Sequence, residues 1–182
     1  MEKNFERGLI NYLYHDINRM MHFVMDEIFE YDIQSSIHNY LRFKLDTTKY
    51  KVAREKNGKV DHVIMEKLTN KTTLIEVKSF IKNKEKFNYE KIKSDIEKTS
   101  KKIIENNDTE GYLILISKQS QLKSKNKNSN ELIKLITSKK RRIDFGDIKT
   151  RLIRSYHTMY QNDNVFILQK SQIRIFMFQI IK

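Results

Sequence analysis

Two acidic side chains and one lysine stand close together in the first half of this chain. Asp61 opens a short apolar segment, and Glu76 and Lys78 follow in a second apolar segment as Glu-Val-Lys. Carboxylate oxygens suit hard cations, and Mg²⁺ usually takes only one or two of them, with water and phosphate in its other positions. Such an ion lowers the pKa of a bound water and neutralises charge on a scissile phosphate. A lysine beside it could orient the water or stabilise the transition state, so the three residue types predict phosphodiester hydrolysis.

These side chains can meet only if two strands fold back on each other. Segment 72–80 is rich in β-branched and apolar residues, which favours a strand whose acid and lysine share one face. A polar break precedes it, in which Asn70 can adopt a left-handed turn conformation. Pairing with segment 60–66 would place Asp61 opposite or diagonal to the acid and the lysine, at roughly 4.5–8 Å. The alternative is a solvent-facing strand whose charged residues form surface ion pairs.

The order of elements around these residues resembles the core of the PD-(D/E)XK nuclease superfamily. The resemblance spans residues 30–117, which are predicted to form a helix, three strands, a second helix and a further strand. It implies an α/β fold with a restriction-endonuclease-like core and a site that binds Mg²⁺ or Mn²⁺. The implied metal ligands are Asp61, Glu76 and the backbone carbonyl of Val77, and Lys78 would assist the attacking water. One departure is that the chain has no proline, so a valine precedes the first acid.

Many members of that superfamily carry a further ligand, a glutamate on the upstream helix. Here segment 33–45 has helical spacing of apolar residues, and its polar side chains in a suitable position are Gln34 and His38. Glu30 lies one turn earlier and is a third candidate. Glu55, near the end of the first predicted strand, could join the acidic cluster or simply pair with a lysine. His38 can equally be a partly buried histidine with a backbone partner, and Gln34 an ordinary polar helix position.

Composition narrows the classes of protein to consider. A chain of 182 residues is consistent with a single domain that buries a sizeable core. The absence of cysteine excludes disulfide frameworks, thiolate zinc sites and a cysteine nucleophile. The charged N-terminus is unlike a signal peptide, and no apolar run approaches the roughly 18 residues of a membrane span. We therefore expect a soluble, cytoplasmic protein with no membrane partner.

The net charge of +13 is unevenly distributed. Residues 1–48 carry five basic against eight acidic residues, whereas the remainder carries 31 against 15. A basic surface favours a polyanionic partner, and nucleic acid is the natural one. A lysine-rich genome composition would also explain much of this charge, since 27 of the 36 basic residues are lysine. The cluster predicted to contact phosphate consists of Lys139, Lys140, Arg141 and Arg142.

Further elements flank the predicted core of residues 33–117. Residues 1–32 are predicted to be helical, and residues 118–142 to form a basic loop. Residues 143–182 are predicted to add a helix over 146–160 and then a β-hairpin, formed by 165–169 and 172–181, that extends the sheet.

The predicted function is a Mg²⁺- or Mn²⁺-dependent endonuclease that hydrolyses phosphodiester bonds, with DNA favoured over RNA. Its role could lie in restriction, repair, recombination or a mobile element. Two alternatives stay open: an RNA-directed endonuclease of the same fold, and a non-catalytic nucleic-acid-binding module on a nuclease-like scaffold. Cutting both strands of a duplex would require either a homodimer or two successive nicks.

Overall fold

The fold combines three helices with one seven-stranded mixed sheet, among the residues that the structure describes. This computed structural model describes residues 5–24, 28–54, 60–81, 89–118, 142–145, 147–157 and 173–181. In chain order the elements are α1 (Phe5–Val24), α2 (Glu30–Lys44), β1 (Tyr50–Ala53), β2 (His62–Glu66), β3 (Thr72–Phe80), α3 (Tyr89–Glu105), β4 (Thr109–Lys118), β5 (Arg142–Phe145), β6 (Ile148–His157) and β7 (Ile173–Ile180). The predicted α/β class is therefore confirmed.

Strand order in the sheet is β1-β2-β3-β4-β7-β6-β5. The pairs β1–β2 and β2–β3 are antiparallel, whereas β3 and β4 are parallel. Parallel neighbours need a crossover connection, and α3 lies in the chain between these two strands. Beyond β4 the remaining pairs are again antiparallel. This arrangement puts β3 inside the sheet, where its residues from Thr73 to Phe80 are buried.

Helices cover both faces of the sheet, so β3 contributes to two separate cores. Ile75 and Val77 pack in the cluster that contains the apolar residues of α1 and α2. Leu74 and Phe80 pack in the cluster that contains Ile92, Ile96 and Ile103 of α3. Helix α3 lies so close to β4 that a Cβ added at Gly111 would collide with the Ile103 side chain. The predicted alternation of faces along β3 is confirmed.

The predicted hairpin of two neighbouring strands is present as β2 and β3. His62 pairs with Ile75 and Met65 with Thr72, which fixes the register. Asn70 in the connecting turn has a φ of 56°, the left-handed conformation that its short polar side chain tolerates. Continuing the same register by one residue sets Asp61, just before β2, opposite Glu76.

The predicted helix over 146–160 is wrong, because residues 148–157 form strand β6. The prediction rested on apolar residues four apart, but such residues share a face in a strand as well as in a helix. Ile148 and Leu152 do face one side together and pack against the α3-side core. Ile153, the next residue, faces the opposite core, as alternation along a strand requires. Pairing with β5 and β7 therefore overrides the helical spacing.

The C-terminal strand is present as β7, but its predicted pairing is wrong. One edge of β7 pairs with β4 and the other with β6, so neither edge is free for residues 165–169. Those residues lie outside the described part of the chain, as do Glu55 and residues 119–141 of the basic loop predicted over 118–142. The two end residues of that predicted loop belong to β4 and β5. Helix α2 begins at Glu30, three residues before the predicted core, and thereby brings Glu30 into the same element as Gln34.

Candidate functional site

The site is built where β3 extends beyond its neighbour β2. The last pair between the two strands is His62 with Ile75, while β3 continues to Phe80. Backbone donors on this edge of β3 therefore lack a strand partner, and carboxylates take that place. The Val77 amide donates to Asp61 Oδ2 at 2.7 Å, and the Ser79 amide donates to Glu30 Oε2 at 3.1 Å. Buried amides require acceptors, so the local geometry fixes both acids at the open edge.

The Lys78 ammonium lies at the centre of a group of acids. Its Nζ is 3.0 Å from Asp95 Oδ2, 3.4 Å from Glu30 Oε1 and 3.6 Å from Glu76 Oε1. These acids come from three elements, α3, α2 and β3, and Lys78 is only 6% exposed. Burial of a lysine is tolerated only when opposite charges replace its water. The structure therefore gives this lysine three carboxylates around one charge.

A chain of polar contacts fixes Asp61 from the other side. Gln34 Nε2 donates to Asp61 Oδ1 at 2.7 Å, and Arg54 Nη2 donates to Gln34 Oε1 at 2.9 Å. Arg54 also donates to Ser35 Oγ at 3.2 Å. Both carboxylate oxygens of Asp61 thus accept one hydrogen bond each, yet each keeps a further lone pair for a ligand.

Burial has the largest effect on the electrostatics of the cluster, and neighbouring charges modify it. Burial, reinforced by the neighbouring Asp61, raises the pKa of Glu76 to about 8. Burial likewise raises the pKa of Asp61 to about 6, against the lowering effect of the Val77 amide. Burial alone would lower the pKa of Lys78, but Glu30, the hydrogen bond to Asp95 and Glu76 raise it above its ordinary value. Burial acts to raise the pKa of Asp95, but its contact with Lys78 lowers it overall.

These shifts identify buried carboxylates whose charge is only partly compensated. Asp95 pairs with both Lys78 and Lys98, at 3.0 and 3.1 Å, so two ammonium groups face the acids of the cluster. Asp61 and Glu76 hold their protons more tightly than usual, chiefly because burial disfavours their charged forms. A bound cation would remove this penalty.

The donor set is suited to a hard divalent cation. Asp61 and Glu76 offer carboxylate oxygens, which Mg²⁺ and Mn²⁺ prefer, and they lie opposite each other across the strand pair. Val77 donates its amide to Asp61, and its carbonyl points to the same edge because both groups of a strand residue do. Within the described ranges no three histidine or acidic side chains form a group that could hold a metal ion. A Mg²⁺ site with two carboxylates needs no third, since water and phosphate complete it.

Of the predicted site residues, the structure brings six together and separates two others. Those at the site are Glu30, Gln34, Asp61, Glu76, Val77 and Lys78. The other four, which lie outside the described residues, are Glu55, Lys139, Lys140 and Arg141. His38 instead stacks against the buried His62 with ring centroids 6.0 Å apart, and its Nδ1 has no partner among the described residues. Arg142 is exposed on β5, four strands from β3 and thus roughly 19 Å across the sheet.

Sequence reasoning missed Asp95 and Arg54. Asp95 makes the shortest contact to Lys78, and its position next to Ile96 places it at the border of the buried face of α3. That border position was a usable signal, but the chain offers many charged residues beside apolar ones. No sequence pattern indicated a role for Arg54, because that role depends on where α2 lies against β1.

The raised pKa values of the two site acids predict how stability depends on pH. An acid whose pKa is higher in the folded state binds protons more tightly there, so its protonation stabilises the folded protein. This stabilisation is fully present at pH values below the pKa of the unfolded state. It is lost as the pH rises through the pKa of the folded state, here between about pH 4 and about pH 8. Below pH 6.5 the buried His62, whose pKa is lowered to about 3, has the opposite effect on stability. We therefore expect the melting temperature to fall mainly between about pH 6.5 and about pH 8, and the fall to be smaller in Glu76→Gln. Thermal unfolding at several pH values tests this, and equal slopes in both proteins would contradict it.

No protein family, no curated protein and no solved structure matches this chain. No helix among the described residues is long and apolar enough to cross a membrane.

Proposed function

We propose that this protein is a metal-dependent nuclease that hydrolyses phosphodiester bonds, with DNA as the favoured substrate. The observation that carries the proposal is the grouping of Asp61, Glu76 and Lys78 within a buried cluster of four acids, in which Lys78 alone contacts three. Acids with strongly raised pKa values beside a buried lysine are typical of functional sites.

The order of elements supports the same proposal. Helix α2, strands β1 to β3, helix α3 and strand β4 follow one another as in the restriction-endonuclease-like core. The acids lie just before β2 and on β3, in the order that the resemblance to the PD-(D/E)XK superfamily implies. Glu30 on the upstream helix contacts Lys78 and would correspond to that superfamily's additional glutamate.

Each residue has a role that its surroundings favour. Asp61, Glu76 and the Val77 carbonyl would hold Mg²⁺ or Mn²⁺, and Gln34 keeps the Asp61 carboxylate in one orientation. The ion would acidify a bound water and neutralise charge on the phosphate. Lys78 has a raised pKa, so it stays an ammonium at neutral pH and acts as a donor and a positive charge, not as a general base. Because protons compete for Glu76, metal affinity should rise with pH.

A nucleic-acid substrate agrees with the charge of the chain. The net charge is +13, and positive charge favours a phosphate backbone through counterion release. The rival proposal is a module that binds nucleic acid without cutting it, which the lack of a three-ligand group in the described ranges favours. It predicts salt-sensitive binding and no product under any metal.

The test is a cleavage assay with end-labelled duplex DNA, single-stranded DNA, branched DNA and RNA. Wild type should cut at least one of them with Mg²⁺ or Mn²⁺ and none with chelator. Asp61→Asn should lose at least about a hundredfold in rate, since it removes a ligand charge. Asp108→Asn, in an exposed turn, is the matched control and should keep full activity. Cleavage that survives in Asp61→Asn, or wild type that cuts nothing, would overturn the assignment.

A further inference from the structure

We propose that an unpaired nucleobase stacks on Tyr31 beside the site, so that the substrate is single-stranded or locally unpaired next to the scissile phosphate. The inference rests on the proposed function and narrows it to one class of substrate.

Tyr31 is exposed directly beside the acidic cluster. Tyr31 is 66% exposed, although tyrosine usually buries most of its ring. The residue before it, Glu30, contacts both Lys78 and the Ser79 amide. Phe29 on the other side of Glu30 is 45% exposed. Two aromatic side chains therefore flank the one residue that ties α2 to the lysine.

Arg54 joins Tyr31 to the metal-binding acids. The guanidinium carbon of Arg54 lies 4.7 Å from the centroid of the Tyr31 ring. The same guanidinium donates to Gln34, which in turn donates to Asp61. Only two side chains thus separate the exposed ring from a predicted metal ligand. A ring fixed in this way can align a substrate group relative to the reacting phosphate.

The ligand that suits this surface is a nucleobase next to a phosphate. Aromatic rings stack bases of any sequence, and an arginine beside the ring adds positive charge for the adjoining phosphate. Bases inside a duplex already stack on their neighbours, so only an unpaired base can lie on Tyr31. Both requirements, a free base face and a backbone phosphate, are met by a single strand, a flap or a gap.

The experiment compares binding and cleavage for variants of exposed aromatic residues. Tyr31→Leu keeps an apolar side chain but removes the ring, and Tyr31→Trp keeps a stacking surface. Phe43→Ala is the matched control, since Phe43 lies on the same helix, twelve residues further on, and is 83% exposed. Fluorescence anisotropy with chelator present measures affinity for a single strand and for a duplex. Quenching of a 2-aminopurine placed along the single strand detects stacking directly.

We expect Tyr31→Leu to weaken single-strand binding by about 5- to 100-fold, with little change for the duplex. Quenching should disappear in Tyr31→Leu and persist in Tyr31→Trp and Phe43→Ala. Where cleavage is observed, its preference for the single strand should fall by a similar factor. Equal losses for both substrates would mean that Tyr31 only positions Arg54, and unchanged binding would mean that it contacts nothing; either result overturns the inference. The binding measurements need no turnover, so they decide the inference even if wild type cuts no substrate.

Discussion

Glu76→Gln is expected to abolish cleavage and, at the same time, to make the protein more stable at neutral and alkaline pH. The loss of activity should be on the order of 10³-fold or more, because removal of a metal ligand sacrifices several kcal/mol of transition-state stabilisation. The gain in stability follows from burial beside Asp61, which raises the pKa of Glu76 to about 8 and makes its charged form unfavourable in the folded protein. Glutamine has the same shape and carries no charge.

A loss of activity together with a gain in stability distinguishes an acid kept for function from one kept for structure. A carboxylate kept for its ion pair with Lys78 would destabilise the protein when it is neutralised. A carboxylate kept for its ligand costs stability in the free protein, and its removal relieves that cost. Single-turnover cleavage and thermal unfolding at pH 8 measure the two effects. With Mg²⁺ added, wild type should gain melting temperature and the variant should not.

Glu110→Gln is the matched control for this comparison. Glu110 lies on the adjacent strand β4, is partly buried, and interacts with Lys71 at 3.7 Å and with Thr73 at 3.1 Å. We expect it to keep full activity, because Glu110 pairs with Thr73, which lies five residues from Lys78 along β3. A Glu76→Gln protein that is active, or inactive but less stable than wild type, would contradict the role given to Glu76.

The sequence was sufficient for the hairpin that carries the site, and the reason is local. Alternation of side chains along β3 and a turn that needs a left-handed residue are both set within about twenty neighbouring positions. These two features predicted that Asp61 would approach Glu76, opposite or diagonal to it, but only the structure fixes the register. That part of the site depends on nothing distant in the chain.

The remaining members depend on packing between elements, and no local pattern determines it. Asp95 reaches Lys78 because α3 crosses from β3 to β4 on one face of the sheet, and Glu30 reaches it because α2 covers the other. His38 lies one helical turn after Gln34, a position from which a ligand could also come, yet its ring stacks on His62 instead. Strand β6 was mistaken for a helix because residues four apart share a face in both structures.

The geometry also explains how the acids of this site are held in place without a bound ion. Asp61 and Glu30 accept the Val77 and Ser79 amides at the open edge of β3, so each acid has a structural partner independent of any metal. A backbone hydrogen bond from Asp61 also reaches Glu76, but it lowers the pKa of Glu76 less than burial raises it, and this pKa is the higher of the two raised values. The ligand most in need of a cation is therefore the one whose removal should have the largest effect on activity.

Lys78→Met is expected to remove cleavage as well, but with the opposite effect on stability. The substitution keeps the length of the side chain and removes the charge that faces Glu30, Glu76 and Asp95. Removing one partner of a buried charge cluster typically costs about 3–5 kcal/mol, since the remaining charges lose their compensation. We expect a loss of that size in urea unfolding at alkaline pH, together with at least a hundredfold loss of cleavage.

The pH dependence of that loss tests its cause. At acid pH the carboxylates take up protons, so the missing ammonium should matter less and the variant should approach wild-type stability. The double variant Glu76→Gln/Lys78→Met should likewise be more stable than Lys78→Met alone, because one uncompensated acid has gone. Lys71→Met, which breaks the more exposed ion pair with Glu110, is the matched control and should change stability by less than about 1 kcal/mol. A loss that is the same at acid and alkaline pH would show that the stem of Lys78, not its charge, stabilises the fold, and the electrostatic account of the site would then fail.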